Sequence, residues 1–415
     1  MWYVDAARNL LLKFGIEPKT QIPTATVFIN RAFDLNSMAS QIQSIQGVKI
    51  IKRLEKAWAI YVEVPSRDAL EKISSIPGVI EVKLGYEYGD ADNINSYYNM
   101  EHPPLGKYLI MIPMILLGDY PDAWRIPSMI SGGLLCIVVG LMVREITRNN
   151  VYAVLASILT AADPLVRSMS GVAMLDIFLA LFTALSVYAL LRGSSILSGI
   201  FLGLAISTKM SGAFAALPLL LISIIGRSNS ILKTYRDLII IPIAVFMLAN
   251  LPIIVSFGLQ TWYDQSVVGA ISWHLRTKTP PGEGPPVSAP WMWLYGENPF
   301  YLTVSPDTVA RGNIYVYIGS LALAIFLVTL ARVFQCVSML TIASFLTWLG
   351  YVVLWIAGNH SQYSFYMVQL APLFTALFIS QLWIVAENTD IVAAEYKAIY
   401  KKIFTKTSFQ RPPAI

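Results

Sequence analysis

The class of fold follows from a change in composition, from soluble to membrane-like, within one stretch of the sequence. This stretch is Glu101–Val143, EHPPLGKYLIMIPMILLGDYPDAWRIPSMISGGLLCIVVGLMV. Its first apolar run, Leu105–Gly118, has about 14 residues, a length typical of an interfacial or re-entrant helix rather than a span. The next run, Ala123–Val143, is long enough to cross a bilayer. The sequence therefore predicts a polytopic α-helical membrane protein whose membrane part follows Pro104.

The composition supports this prediction. Of 415 residues, 56% are hydrophobic and 13% are charged, whereas a soluble domain has about 25% charged residues. Of the 55 charged residues, 23 precede Leu105, so the first quarter alone has a soluble composition. These values exclude a cytosolic enzyme, a nucleic-acid-binding factor and a disordered scaffold. The net charge of +5 is better explained by basic cytoplasmic loops than by nucleic-acid binding.

Further apolar runs bring the predicted number of spans to about nine, two of them short. They cover residues 123–143, 151–166, 171–191, 196–208, 211–226, 238–257, 314–331, 335–357 and 364–385. Basic residues lie in alternate short loops and in the tail, which the positive-inside rule places in the cytoplasm. These residues are Arg144, Arg148, Arg192, Arg227, Lys233, Arg236, Arg332, Lys397, Lys401, Lys402, Lys406 and Arg411.

An odd number of spans places the soluble N-terminal quarter outside the cytoplasm. This quarter contains an internal repeat, with IQSIQGVKIIK at Ile42–Lys52 and ISSIPGVIEVK at Ile73–Lys83. Each copy predicts the end of a helix, a glycine that terminates this helix, and a short strand. With β-rich runs at Ala25–Asn30 and Ala57–Val64, the order β-α-β-β-α-β predicts a ferredoxin-like α+β insertion. We interpret it as a compact inserted domain without chemistry of its own.

The chain is accordingly divided into five parts. They are an extracytoplasmic juxtamembrane segment at 1–23, the ferredoxin-like domain at 24–86, a loop and interfacial helix at 87–122, a membrane bundle at 123–386 with an outer loop at 258–313, and a basic cytoplasmic tail at 387–415. The residues up to Phe14 contain no apolar stretch that could export the domain. Either a span precedes it or the orientation is reversed.

Ionisable residues near the outer ends of the predicted spans are candidates for a polar pocket. Arg125 begins one span, Asp176 begins another apolar run, and Lys209 interrupts two short helices. Ionisable groups at membrane depth are costly and usually line a cavity or pair with one another. Each residue alone could simply mark a helix end, but the three together favour a pocket. Lys107 is interpreted either as part of it or as a lysine snorkelling beside a helix start.

The outer loop adds aromatic residues and a histidine. Trp291 and Trp293 are either an interfacial belt or the floor of a sugar site, and His274 lies in the basic segment before them. With only three histidines in the chain, no metal centre and no other cofactor are expected.

Several motifs together resemble the protein O-mannosyltransferase family, polytopic glycosyltransferases of the GT-C type that use a polyprenyl-phosphate sugar. They are YVDAAR at Tyr3–Arg8, HPPLGK at His102–Lys107, RIPS at Arg125–Ser128, MLD at Met174–Asp176, STK at Ser207–Lys209 followed by Gly212, SAPWMWL at Ser288–Leu294, and GN at Gly312–Asn313. HPPLGK and the PW-x-W loop are the most specific of these. The resemblance covers most of the chain outside the inserted domain.

The resemblance implies an inverting transfer of mannose or another hexose from a polyprenyl phosphate to Ser or Thr hydroxyls of exported proteins, on the extracytoplasmic side of the membrane. A base takes the hydroxyl proton, and cations stabilise the departing phosphate. Arg125, Lys209 and Lys107 are the candidates for phosphate contact. His102, Trp291, Trp293 and His274 are candidates for sugar or acceptor contact, and Asp176, Pro103 and Pro104 for orienting the site. The expected partners are this lipid-linked sugar, an acceptor protein and the bilayer, but no nucleic acid.

Two departures from the family pattern affect these expectations. In the family, an Asp-Glu pair precedes the segment matching Trp2-Tyr3, and its Asp is the proposed base. Met1 stands just after that position, so the resemblance implies that the pair and a first span would lie upstream of Met1. Asp5 is the nearest carboxylate, and we expect little or no transfer by the chain as printed. The family also often has an Arg before the last span, whereas Ser361–Tyr366 has none.

Three other functions stay open at this point, one of which is a sensor whose ferredoxin-like module binds a ligand. A related transferase would glycosylate a lipid or a glycan instead of a protein. A transporter would show inverted repeats and charges at the bilayer midplane.

Overall fold

The computed structural model describes residues 2–20, 24–225, 230–276, 284–304, 306–331 and 333–406. Of His274 and Arg276, only the backbone is described. Arg227, Arg332 and Arg411, which contributed to the predicted orientation, lie outside the described residues.

The chain begins with helix α1, Trp2–Lys13, and continues into the inserted domain. The elements of this domain are β1 Thr24–Ile29, α2 Leu35–Gln43, β2 Lys49–Leu54, β3 Ala59–Glu63, α3 Arg67–Ser74 and β4 Val79–Leu84. The strands form one antiparallel sheet in the order β2-β3-β1-β4. This is the predicted ferredoxin-like arrangement, which is therefore confirmed.

Both faces of this sheet are covered. On one face, α2 and α3 pack over a core that includes Val27, Val62 and Ile73. On the other face, Tyr88 and Ile94 from the following segment cover strand residues such as Phe28. The domain thus has its own hydrophobic core. Its other face is covered by the chain segment that connects the domain to the membrane helices.

The remaining chain is almost entirely helical. It contains α4 Leu105–Leu116, α5 Pro121–Thr147, α6 Asn150–Ala162, α7 Pro164–Ser170, α8 Asp176–Leu191, α9 Ser195–Thr208, α10 Ala216–Ile225, α11 Ile231–Tyr235, α12 Ile241–Phe257, α13 Leu259–Trp262, α14 Ala270–Arg276, β5 Phe300–Val304, β6 Asp307–Ala310, α15 Ile314–Phe326, α16 Gln335–Ile356, α17 Ala371–Glu387 and α18 Thr389–Lys406. The strands β5 and β6 form a small hairpin in the outer loop.

Several of these helices are suited to a bilayer. Among the described residues, Pro121–Thr147, Ile231–Phe257 and Gln335–Ile356 are each long and apolar enough to cross a membrane. The pair Asn150–Ala162 and Pro164–Ser170, bent by 64°, would make a fourth span if counted as one. Six further apolar helices have 10–17 residues. The chain is a membrane protein with several candidate spans, and the count of about nine remains a prediction.

The bend between α6 and α7 was not expected, because residues 151–166 were predicted as one straight span. Pro164 has no backbone N–H, so the helical hydrogen-bond pattern cannot pass through it. The Asp163 carboxylate instead accepts hydrogen bonds from the backbone N–H groups of Leu165 and Val166, which starts a new helix. Its other oxygen accepts from the Tyr317 hydroxyl at 2.8 Å and so ties the bend to α15.

A buried ion network joins α1 to the start of the membrane bundle. The Arg8 guanidinium contacts the Asp119 carboxylate through Nε at 2.6 Å and through a second nitrogen at 3.1 Å. The Trp124 indole N–H also donates to Asp119, at 2.9 Å. Next to Arg8, the Asn9 side chain accepts from Lys83 of β4 and from the Tyr88 hydroxyl. The inserted domain is therefore fixed to α1 and, through Asp119, to the membrane helices.

Candidate active site

A buried ion pair lies at the break between two membrane helices. The Lys209 ammonium donates to Asp176 Oδ1 at 2.7 Å, and the two side chains are 3% and 1% exposed. Lys209 has an extended backbone between α9 and a 3-10 turn at Met210–Ala215, as the broken pattern predicted. Gly212 permits this turn, since a Cβ there would lie 2.6 Å from the carbonyl carbon of Ala205. The pair thus depends on a local break that small residues allow.

Aromatic side chains enclose this pair. The Lys209 ammonium lies 3.6 Å from the ring centroid of Tyr366, a distance at which cation–π attraction is favourable. Tyr366 in turn contacts the ring of Tyr351, whose hydroxyl donates to the Gln369 side chain. Asp176 Oδ2 is buried and has no hydrogen-bond partner among the described residues. This oxygen is available to accept from a hydroxyl group that enters the site.

The HPPLGK segment forms the end of a loop and the first turn of α4, because Leu105, Gly106 and Lys107 belong to that helix. The Lys107 ammonium is buried and donates to the carbonyl oxygens of Tyr98, Asn99 and His102, at 3.2, 2.5 and 2.9 Å. Lys107 therefore does not snorkel toward the headgroups as one reading of the sequence predicted. A buried ammonium needs acceptors, and the loop carbonyl oxygens supply three. Its contact with a donor phosphate stays a prediction.

The prolines and the histidine of this loop are buried as well. Pro104 precedes the first residue of α4, and its carbonyl oxygen accepts from the Tyr108 N–H at 3.0 Å. The His102 ring lies between Tyr3 and Trp273, with centroid separations of 5.8 and 6.2 Å. Pro103 is buried too, so the loop residues before α4 are enclosed by the protein.

The HPPLGK segment packs against the residues that directly precede Asp176 and Lys209. A Cβ at Gly106 would lie 2.5 Å from a methyl carbon of Leu175 and 3.3 Å from the methyl carbon of Thr208. The Tyr3 ring contacts His102 of the same segment. Burial raises the pKa of the Tyr3 phenol well above its usual value, and the negative charges of Asp176 and Glu101 raise it further. The structure thus brings the two motifs to one place.

The outer-loop tryptophans occupy different environments. Trp293 is buried, and its indole N–H donates to the hydroxyl and carbonyl oxygens of Ser288, at 2.9 and 3.1 Å. Its ring packs against Tyr351 and Tyr366, so it supports the aromatic cover over Lys209. Trp291 is exposed and packs edge-on against Trp355. The side chain of His274 lies outside the described residues.

Arg125 lies apart from the buried pair. It is exposed, and its guanidinium is 3.7 Å from the Asp122 carboxylate one turn earlier in α5. Among the described residues, no contact joins it to Asp176 or Lys209. Its role in donor binding stays a prediction.

Asp5 is part of the α1 network. One carboxylate oxygen accepts from Arg8 at 3.0 Å and the other accepts from the Gly89 N–H at 3.0 Å. Burial raises the pKa of Asp5, although the neighbouring Arg8 opposes this shift. Both oxygens hold the fold together, and the predicted role of Asp5 as a base remains untested.

An open cavity of about 420 Å³ lies beside the HPPLGK loop. Glu101, Tyr97 and Tyr98 line one side, and Asp264 and Trp273 line the other. Glu101 accepts hydrogen bonds from the Tyr97 hydroxyl and the Asn99 amide, at 2.8 and 2.7 Å, which fixes its orientation. A cavity with aromatic faces and fixed polar groups is suited to a sugar or a peptide segment.

Sequence reasoning missed the residues that act through long-range contacts. Tyr366 covers Lys209 from a segment far along the chain, and Arg8 meets Asp119 across 111 positions. No local spacing could reveal these contacts. The only available signal was the density of aromatic residues in Ser361–Tyr366.

Comparison with known proteins agrees with the motifs. Residues 101–255 match the family described as dolichyl-phosphate-mannose-protein mannosyltransferase. The polyprenol-phosphate-mannose–protein mannosyltransferase of Corynebacterium glutamicum is 23% identical over 386 residues, covering 71% of this chain and 73% of that protein. The protein of the same description from Mycobacterium tuberculosis is 31% identical over 160 residues, covering 31% of this chain and 30% of its own. The resemblance predicted from the sequence is confirmed.

Solved structures also resemble the chain. ArnT from Cupriavidus metallidurans bound to undecaprenyl phosphate has a TM-score of 0.49 and 17% identity, covering 69% of this chain and 50% of that chain. The archaeal oligosaccharyltransferase AglB from Archaeoglobus fulgidus has a TM-score of 0.37 and 14% identity, covering 72% of this chain and 44% of that chain. The chain thus spans half or less of these two structures.

Proposed function

We propose that this membrane glycosyltransferase, a relative of the protein O-mannosyltransferases, transfers mannose from a polyprenyl-phosphate donor to Ser or Thr hydroxyls of exported proteins. The family match at residues 101–255 includes HPPLGK, Asp176 and Lys209. Asp176 and Lys209 form an ion pair, and Gly106 of HPPLGK packs against their neighbours Leu175 and Thr208. The names of the relatives in Corynebacterium and Mycobacterium support the donor and the acceptor class.

The observation that carries this proposal is the buried Asp176–Lys209 pair beneath Tyr366. In the proposed reaction, an acceptor oxygen attacks the anomeric carbon while the bond from that carbon to the phosphate oxygen breaks. Negative charge then builds on the leaving phosphate, and a fixed cation in a water-poor site stabilises it. Lys209 supplies such a charge, and Asp176 holds the ammonium in place. Lysine acts here as a point charge, whereas arginine would bind bidentately.

The remaining parts of the site have complementary roles in this proposal. Lys107 holds the HPPLGK loop, so that His102 and Tyr3 border the reacting groups. The cavity lined by Glu101 and Trp273 admits the acceptor segment, because it opens beside the same loop. A general base takes the proton of the attacking hydroxyl.

The proposed reaction takes place on the extracytoplasmic side. Arg144 and Arg148 lie at the C-terminal end of α5, and the positive-inside rule places that end in the cytoplasm. The N-terminal end of α5 lies beside Asp119 and α1, on the side of the candidate site. The inserted domain is then extracytoplasmic as well.

A donor-binding assay tests the assignment of Lys209. The purified protein in nanodiscs is titrated with a polyprenyl phosphate, and binding is measured by native mass spectrometry for wild type, Lys209→Met and Lys233→Met. Lys233 is an exposed lysine in α11 and serves as the matched control. We expect at least about tenfold weaker binding for K209M, equal to a loss of about 1.4 kcal/mol, and no change for K233M. Equal binding by K209M would contradict the assignment.

A transfer assay tests the reaction itself. Membranes expressing the gene in its natural sequence context receive polyprenyl-phosphate mannose with labelled sugar and a Thr-rich peptide. We expect label in the peptide and about 100-fold less of it for K209M, the loss typical of one electrostatic group in an active site. Label in a lipid or glycan fraction instead of the peptide would support the alternative acceptor class.

A further inference from the structure

A second charged cavity lies at the other end of α5. It has a volume of about 290 Å³ and is lined by Arg144, Glu145, Arg148, Tyr188 and Arg192, together with Leu141 and Asn150. These residues come from the last turn of α5, the turn that follows it, and the end of α8. None of them belongs to the motifs of the candidate active site.

Glu145 organises the arginines of this cavity. One of its carboxylate oxygens accepts from Arg148 at 2.7 Å, and the other is 3.3 Å from the Arg192 guanidinium. Glu145 is only 17% exposed, whereas the two arginine side chains are 75% and 57% exposed. A half-buried carboxylate thus holds two guanidinium groups at the surface. Because Arg144 adds a third, the cluster keeps a charge of +2.

The position of the cluster separates it from the proposed donor site. Arg125 and Arg144 are 19 residues apart on one helix, which corresponds to about 28 Å along its axis. The hydrocarbon core of a bilayer is about 30 Å thick. The arginine cluster therefore lies at the membrane face opposite to Arg125 and α1. A phosphate bound there cannot be the one that leaves in the proposed reaction.

We propose that this cavity binds the phosphate headgroup of an anionic membrane lipid. Guanidinium groups form paired hydrogen bonds with phosphate oxygens, and the arginines lie at the depth where headgroups are found. Anionic lipids attract basic residues at the cytoplasmic surface, and basic pockets between membrane helices bind their headgroups. Leu141 and Tyr188 complete the lining of this mainly polar cavity, which suits a headgroup. Inorganic phosphate has the same oxygen chemistry but no chains.

Native mass spectrometry with defined lipids tests this site. The protein is delipidated and then offered phosphatidylglycerol, phosphatidylcholine or inorganic phosphate at equal concentrations. We expect retained phosphatidylglycerol and little retained phosphatidylcholine, because the zwitterionic headgroup has no net negative charge. Equal retention of the two lipids would overturn the proposal, and binding of inorganic phosphate without a preference for phosphatidylglycerol would overturn the lipid assignment.

Variants of the cavity arginines test whether the lipid binds at this cavity. The variant R148Q/R192Q lacks two arginines and is expected to retain phosphatidylglycerol about 30-fold more weakly. The reason is that each basic residue near an anionic membrane surface contributes about 1 kcal/mol of attraction. The control K233Q/K397Q removes two exposed lysines from the same predicted face and should retain the lipid. Equal losses in both variants would contradict a specific site.

A single variant covers the case in which the double variant does not fold. Arg144 lines the cavity but, within the described part of the chain, forms no ion pair with Glu145. Arg144→Gln therefore leaves the organised pair intact and is expected to weaken retention about fivefold. Unchanged retention in R144Q, with unchanged thermal unfolding, would overturn the proposal.

Discussion

Lys209 and Asp176 form an ion pair in a buried place, where a single unpaired charge would be costly. Removing one partner of a buried pair leaves an uncompensated charge and typically costs about 3–5 kcal/mol. Replacing both partners by apolar groups of similar volume is often neutral or stabilising. Stability and function can therefore be separated at these two positions.

This difference leads to a first prediction. Asp176→Leu is expected to lower the free energy of unfolding by about 3–5 kcal/mol, because Lys209 is left without its carboxylate. The double variant D176L/K209M should recover most of that loss but should not bind polyprenyl phosphate. Thermal unfolding in detergent measures the first effect and native mass spectrometry the second. Donor binding by the stable double variant would show that the pair serves the fold alone.

A second prediction concerns Arg8, which is fully buried between two carboxylates. Arg8→Met leaves Asp5 and Asp119 without their shared cation and is expected to cost about 3–5 kcal/mol. Arg31 pairs with Asp92 on the surface, where both side chains are mostly exposed. Arg31→Met should therefore change stability by less than about 1 kcal/mol. Thermal unfolding of both variants provides the comparison, and similar losses would contradict the structural role of Arg8.

Hydropathy predicted most helices of the membrane bundle, and the runs at 196–208 and 335–357 match α9 and α16 within one residue. The run at 364–385 agrees less well, because α17 begins only at Ala371, after a 3-10 turn at Ser364–Gln369. Lys209 also revealed the break after α9, because a charged residue between two short apolar runs is incompatible with a lipid-facing helix. The bend at Asp163 was missed because Leu165 and Val166 continue the apolar run beyond the proline. Composition therefore predicted where the helices lie. It could not predict the long-range contacts that accompany their bends.

Close packing of α9 against the segment before α12 leads to a third prediction. Gly199 and Gly203 lie one turn apart, and a Cβ at Gly199 would come 1.8 Å from the Asp237 carbonyl oxygen. Small residues at this spacing let membrane helices approach closely. Gly199→Ala is expected to push the two segments apart at a cost of about 1–3 kcal/mol. Because α9 ends at Lys209, the shift should also weaken donor binding.

Gly133 is the matched control for this variant. It lies inside α5, and a Cβ there would meet nothing within 4 Å. Gly133→Ala should leave stability unchanged or raise it, because alanine favours a helix more than glycine does. Thermal unfolding of G199A and G133A separates packing from helix propensity. A loss in G133A as large as that in G199A would contradict the packing argument.

At the scale of the whole molecule, the sequence predicted two parts but not how they are joined. The repeated helix-glycine-strand pattern and the two β-rich runs were sufficient to predict the ferredoxin-like fold. The joint depends on Arg8, Asn9, Lys83 and Asp119, whose contacts cross 74 and 111 positions. Polar residues in a water-soluble composition carry no signal for such partners. The interpretation of the domain as a compact insertion without chemistry of its own stays a prediction, and the structure adds that the domain is fixed against α1.

The geometry of the joint permits a test of the whole domain. Thr24 and Gly85 are direct neighbours, because the Gly85 N–H donates to the Thr24 carbonyl oxygen at 3.0 Å and the Thr24 hydroxyl donates back at 2.9 Å. Residues 25–84 can therefore be replaced by a two-residue Asn-Gly turn, which suits paired antiparallel chains. Asn9 keeps its contact with the Tyr88 hydroxyl in this variant.

We expect the excised protein to fold and to bind polyprenyl phosphate within about twofold of wild type, because neither Lys209 nor the HPPLGK loop contacts residues 25–84 in the described structure. Transfer to a short peptide should likewise persist if the domain lacks chemistry of its own. A selective loss of transfer, with donor binding intact, would assign the domain to acceptor recognition. As a control, Asn9→Ala in the full chain removes contacts at the same joint but keeps the domain. An equal loss of transfer in N9A would show that the excised protein loses activity because the joint is disturbed, not because the domain recognises the acceptor.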